Sequence, residues 1–244
     1  MNESDQPAGF PTTHWSRVAQ AADPAAPEAR AALAELCGAY WYPIYAFIRR
    51  KGNPPDLALD LTQSYFARLI EKSTVSAADP ERWRFRSFLR ADCTFFLSHS
   101  RDHDQARKRG GSIRLLSIDS GGAETRFGRE SAHHDTPERQ FERDWAISLI
   151  DRAMGRLDRH YQPGGRGETY RRLKPILTAE PDAAGFTQLA AELNTTEGAL
   201  RTALHRLRSR FADGLRAEIA ETLDDPTHEA IADELRDLFS ALGS

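Results

Sequence analysis

The chain has 244 residues, 33 basic against 36 acidic for a net charge of −3, 40% hydrophobic residues and a mean hydropathy of −0.59. These values fit a soluble protein of one or two domains. No stretch offers the roughly 18–20 uncharged apolar residues that a bilayer span requires, and the polar start Met1–Asp5 lacks the basic-then-apolar order of a signal peptide. Cys37 and Cys93 have no CxxC partner, which argues against a disulfide framework or thiolate zinc site and for a reducing cytoplasm.

The charge is unevenly placed. Between Arg82 and Arg114 nine basic residues meet three acidic ones, a local balance of +6 that suits phosphates. From Ala217 to Ser244 eight acids face Arg236 alone, leaving −7, the mark of an acidic appendage.

Helical periodicity dominates, and the expected class is all-α, with two small helical domains, a linker and a short C-terminal helical extension. After an N-terminal extension (1–27), Leu33, Leu36, Tyr40, Ile44 and Phe47 recur at three- and four-residue steps, with Pro43 expected to kink or divide the segment. A second helix is expected from about Asp56 to Glu71, where Leu57, Leu61, Tyr65 and Leu69 form an apolar row. Asp56, Asp60, Gln63 and Glu71 fall on its opposite side, as a docking face or as an ordinary solvated one. A third helix is expected over roughly Pro80–Arg107. In it the run Trp83–Arg90 alternates arginines with large rings, a composition suited to unpaired DNA, where rings stack on bases and arginines hold the backbone. Phe85, Phe88 and Phe96 are better read as core, and the basic end Arg101, Arg107, Lys108 and Arg109 as the DNA-contacting part.

The segment 110–140 holds several glycines and no sustained period, and reads as a flexible linker. A second globular unit is expected to begin near Phe141 and run to Arg216, with Ile147, Ile150, Met154, Leu157 and Tyr161 as its first helical stripe. Within it, Gly185–Phe211 reads as a helix-turn-helix. Phe186, Leu189, Ala190 and Leu193 line one face of a short helix, and Asn194 tolerates the left-handed conformation that ends it. Thr196 can cap the next helix, with Glu197 in its first turn. There Leu200, Leu204, Leu207 and Phe211 step inward, which turns Arg201, Thr202, His205, Arg206 and Ser209 outward, a face suited to a major groove. A solvated helical hairpin is the plainer alternative. Residues 217–244 close the chain with a small separate amphipathic helix, Ile231, Leu235, Leu238 and Leu242, read either as a capping end or as a mask over a basic surface.

Enzyme chemistry lacks support. His99 and His103 are spaced i, i+4, and His133-His134-Asp135 form a cluster, but neither has a credible third ligand or an HExxH glutamate. GxxxxGK[ST] and GxSxG are both missing. No cofactor or metal is expected.

Three stretches in order resemble the extracytoplasmic-function sigma factors, promoter-recognition subunits of bacterial RNA polymerase. Asp60-Leu61-Thr62-Gln63-Ser64-Tyr65-Phe66-Ala67-Arg68-Leu69 is similar to the family's polymerase-binding helix, and Phe85-Arg86-Ser87-Phe88-Leu89 through Arg109 to its promoter-melting segment. Glu197–Arg208 resembles its recognition helix. The likeness covers about residues 28–216. It implies a sigma region-two-like domain over 28–109, which docks on core polymerase and opens the minus-ten element, and a region-four-like domain over 141–216, which reads the minus-thirty-five element. It implies polymerase contact by Asp56, Asp60 and Gln63. It implies DNA contact by Arg101, Arg107, Lys108 and Arg109, and by Thr196, Arg201, Thr202, His205, Arg206 and Arg208. An anti-sigma factor or a regulatory kinase is a candidate further partner. Leu59 stands where an acidic residue often precedes the Asp60 position, implying weak or regulated polymerase affinity, and Asn194 replaces the usual turn glycine. The rival reading is a helix-turn-helix regulator that binds duplex operators without polymerase.

Overall fold

The computed structural model describes residues 27–71, 85–103, 120–130, 135–161, 167–178, 183–223 and 225–243. Among these there are nine α-helices, one short 3-10 turn and no strand, so the chain is all-α. The helices are α1 (Pro27–Arg50), α2 (Pro55–Glu71), α3 (Phe85–His103), α4 (Ser120–Glu130), α5 (Pro137–Tyr161), α6 (Gly167–Leu173), α7 (Ala183–Glu192), α8 (Glu197–Ala220) and α9 (His228–Gly243). No helix among the described residues is long and apolar enough to cross a membrane. The chain divides into two compact units, residues 1–148 with 219–244, and residues 149–218.

In the first unit α1 runs unbroken through Pro43, so the segment is not divided there. Proline forfeits one backbone hydrogen bond. The burial of Tyr40, Trp41, Ile44, Tyr45, Phe47 and Ile48 around it outweighs that loss. The helix ends at a tight turn in which Gly52 takes φ +91°, a conformation glycine adopts at little steric cost, while Asn53 Nδ2 donates to the Ile48 carbonyl at 2.9 Å. Helix α2 then turns Ala58, Leu61, Tyr65 and Leu69 inward, as its apolar row predicts except at Leu57, which is partly exposed. Tyr65 donates to the Leu89 carbonyl at 3.0 Å, and Arg68 Nη2 to Asp92 at 2.6 Å, tying α2 to α3. Burial raises the Tyr65 hydroxyl well above the ordinary phenolic range, so it stays a donor.

Three expectations about this unit are corrected. The stretch read as linker contains α4, whose glycines disfavour a helix but whose other residues find distant partners. Glu124 accepts from Tyr45 at 2.5 Å and from Arg49 at 3.1 and 2.8 Å, while the Arg126 guanidinium sits 3.8 Å from the Tyr42 ring centre. Phe141 and Trp145, expected to open the second unit, are buried in the first, where the Phe141 ring meets Phe47 edge-on at 5.9 Å. The C-terminal helix α9 is no separate appendage, because Leu238 and Glu234 are buried within the same unit.

The second unit packs Leu157, Tyr170, Leu173, Leu177, Phe186, Ala190, Leu200, Leu204 and Leu207 into one core. Polar braces surround it. Asp158 accepts from the Tyr170 hydroxyl at 2.5 Å and from Lys174 Nζ at 2.7 and 2.9 Å, and the Tyr161 and Tyr170 rings stack at 4.7 Å. Glu218, almost wholly buried, accepts from Arg152 Nε at 2.5 Å and from Arg156.

Candidate nucleic-acid interface

The turn between α7 and α8 is built residue by residue. Asn194 has φ +49°, the left-handed conformation its side chain tolerates. Around it the Thr195 amide donates to the Ala190 carbonyl at 2.9 Å and the Asn194 amide to Ala191 at 3.2 Å, the paired bonds of a Schellman helix end. Two residues later Thr196 Oγ1 accepts from the Ala199 amide at 3.2 Å, an N-cap that starts α8. Thr187 adds a bond across the turn, donating to Glu197 at 2.6 Å. The angle between the helices is thereby set by backbone and capping bonds, with Phe186 and Ala190 packed against Leu200 and Leu204 beneath.

That inner packing turns Arg201, Thr202, His205, Arg206 and Ser209 to the exposed side of α8. Arg201 is steered without being neutralised. Its guanidinium carbon lies 4.4 Å from the Phe186 ring centre, and Nη2 is 3.9 Å from Glu197. Thr202 donates its hydroxyl to the Gly198 carbonyl at 2.9 Å, leaving its methyl and the acceptor capacity of its oxygen for a partner. Thr196 does the reverse: its oxygen accepts in the cap, which leaves its hydroxyl proton to donate. Arg208 stands apart: it is half-buried and its Nε donates to the Leu177 carbonyl at 3.0 Å, so it braces the unit instead of joining the outward face.

In the other unit, α3 buries Phe85, Leu89, Cys93 and Leu97 at four-residue steps. Phe85 meets Tyr40 edge-on at 5.1 Å, and Phe96 tilts against Tyr65 at 5.6 Å, which makes both rings packing elements. The exposed aromatic is Phe95, 56% accessible, whose ring centre lies 4.1 Å from that of His99, with Thr94 and Ser98 beside it. Alternation of rings and arginines pointed to the start of this helix and missed Phe95. The helical phase carries the signal, since residue 95 lies opposite the stripe 85-89-93-97. Arg101 lies on α3, and the placement of its side chain, like all of Arg107, Lys108 and Arg109, falls outside the described residues.

Asp56 and Asp60 lie exposed one turn apart on α2, with Gln63 half-buried and Leu57 partly exposed between them. The neighbouring Thr62 is wholly buried and donates to the Ala58 carbonyl at 2.7 Å, so the acids form an outward ridge over a firmly packed helix. Comparison of the chain with protein-family models, with curated proteins and with solved structures gave no match.

Proposed function

We propose that the chain is a sigma factor of the extracytoplasmic-function type. It directs core RNA polymerase to specific promoters and assists strand opening. The observation that carries this reading is the outward face of α8. There Arg201, Thr202, His205 and Arg206 stand exposed on a helix whose entry is set by the Asn194 turn and the Thr196 cap, which supports its use as the second helix of a helix-turn-helix. Arginine spans the two acceptors of guanine, and a threonine methyl meets the methyl of thymine. The Phe95–His99 pair supports a second role, since exposed rings stack on unpaired bases. The Asp56–Asp60 ridge is the proposed polymerase-docking surface. Arg208 supports the reader from within, and the reading needs no cofactor and no covalent catalysis.

Each DNA-binding surface is weak alone and gains effective concentration when polymerase holds both at a fixed spacing. The energy for strand opening comes from tighter binding to the open promoter than to the closed one. Run-off transcription with purified core polymerase tests the proposal. The expected result is specific start sites that are lost in the Arg201→Ala/Arg206→Ala double variant. If the chain footprints a symmetric duplex site alone and never co-purifies with polymerase, it is instead a helix-turn-helix regulator.

A further inference from the structure

Arg86 lies in the stretch whose arginines and rings suit unpaired DNA, yet it is only 6% accessible. Its Nε donates to Glu142 at 2.7 Å, Nη1 donates to Glu234, and Nη2 donates to Asp237 at 2.8 Å. Its guanidinium carbon lies 4.2 Å from the Trp145 ring centre. Arg90, one turn on, reaches the other oxygen of Glu142 at 3.2 Å. Three carboxylates thus surround one guanidinium, and one of them, Glu142, is shared with a second.

The partners divide by origin. Glu142 and Trp145 belong to α5 and hold one edge of Arg86, whereas Glu234 and Asp237 belong to α9 and take both terminal nitrogens. The two terminal nitrogens meet one anionic oxygen each from two different carboxylates, and the same nitrogens are the donors by which an arginine grips a phosphate. Beside it opens a cleft of about 380 Å³ to which α9 contributes Asp237, Ser240 and Ala241, with Ser87 and Arg139 across from them. Without α9, Glu142 and Trp145 would still orient Arg86, with its two terminal nitrogens turned toward the space that the acids now fill.

We propose that α9 is an intramolecular stand-in for a nucleic-acid backbone: Glu234 and Asp237 occupy the phosphate-gripping edge of Arg86 and hold down the affinity of α3 for single-stranded DNA until the helix lifts. The inference rests on the reading that α3 meets unpaired DNA. It gives the acidic C-terminal segment a defined target, Arg86, and makes release of α9 a step that precedes tight strand capture.

The test is fluorescence anisotropy of a labelled, mixed-sequence single-stranded oligonucleotide titrated with the full chain at low salt, without polymerase. The Glu234→Gln/Asp237→Asn variant should bind on the order of ten-fold more tightly, with a steeper salt dependence, because an additional cation then meets a phosphate. Adding Arg86→Gln should abolish the gain. Neutralising two acids away from Arg86, Asp225→Asn with Glu229→Gln, should give less than about a third of it. Equal gains in the two double variants, or a gain that survives Arg86→Gln, would mean that net charge alone is at work and would overturn the proposal. No gain at all would overturn it too. Should the double variant melt below the assay temperature, Asp237→Asn alone, at the more exposed of the two acids, decides by the same criterion. Because polymerase is absent, a confirmed gain alongside failed run-off transcription would sink the sigma reading and leave this one standing.

Discussion

Exposure, more than residue type, separates the side chains free to meet the proposed partners from those that build the protein. Phe85, Phe95 and Phe96 are chemically identical, yet only Phe95 presents its ring outward. Phe95→Ala should weaken single-strand binding by roughly 1–3 kcal/mol while leaving the melting temperature within about 2 °C of wild type, as anisotropy and thermal denaturation would report. Asp158 is a structural counterpart. The hydrogen bond from Lys174, reinforced by that from Tyr170, holds its carboxyl below the ordinary range. A depressed native pKa favours folding above the unfolded carboxylate range, and the benefit is lost as pH falls through the native value. The melting temperature should therefore drop between about pH 5 and about pH 3, and Asp158→Asn should flatten part of that drop while lowering the plateau above it. An unchanged acid limb in the variant would remove Asp158 from the account.

At the scale of elements, α8 does two jobs with two sides of one helix. Its cap and inner leucines set stability, and its outer face is proposed to set recognition. Thr196→Ala removes the oxygen that accepts from the Ala199 amide and should cost about 1 kcal/mol of stability by chemical denaturation. Arg206→Ala, on the exposed face, should change stability by less than about 0.5 kcal/mol yet weaken promoter-duplex binding by roughly 1–3 kcal/mol. The opposite pattern would place Arg206 among the structural residues with Arg208. Helix α4 marks the limit of local pattern, because its glycines hide a helix held by Arg49 and Tyr45, more than 70 residues earlier in the chain. Helix α5 marks another: Ile147 and Ile150 begin the expected stripe, yet they are only half-buried, while Trp145, Ala146, Leu149, Ala153 and Leu157 carry the burial.

For the whole molecule, the near-zero net charge conceals a basic stretch and an acidic stretch, and the fold pairs Arg86 of the first with Glu234 and Asp237 of the second. The proposed polymerase surface carries its own test. Asp60→Lys places a positive charge on the exposed ridge of α2, where the described residues supply Asp60 no ion pair to lose. Like-charge juxtaposition against a basic partner costs several kcal/mol. Co-purification with core polymerase should fall at least about ten-fold, with oligonucleotide binding and melting temperature essentially unchanged. Retained co-purification would exclude the ridge as the docking site.

The sequence by itself determined the helical class, the α7–α8 turn and the sidedness of α8, because these follow from short-range physics: an apolar period of 3.6, one asparagine able to adopt positive φ, and one threonine placed to cap. Tertiary structure decided what depends on partners distant in the chain. It kept α1 continuous through Pro43 within an aromatic core, turned a glycine-rich stretch into α4, moved Phe141 and Trp145 into the first unit, and folded the acidic C-terminal helix against Arg86. Local periodicity records which face of a helix is apolar. Which charge meets which, across 148 residues in the case of Arg86 and Glu234, is settled only when the chain has packed.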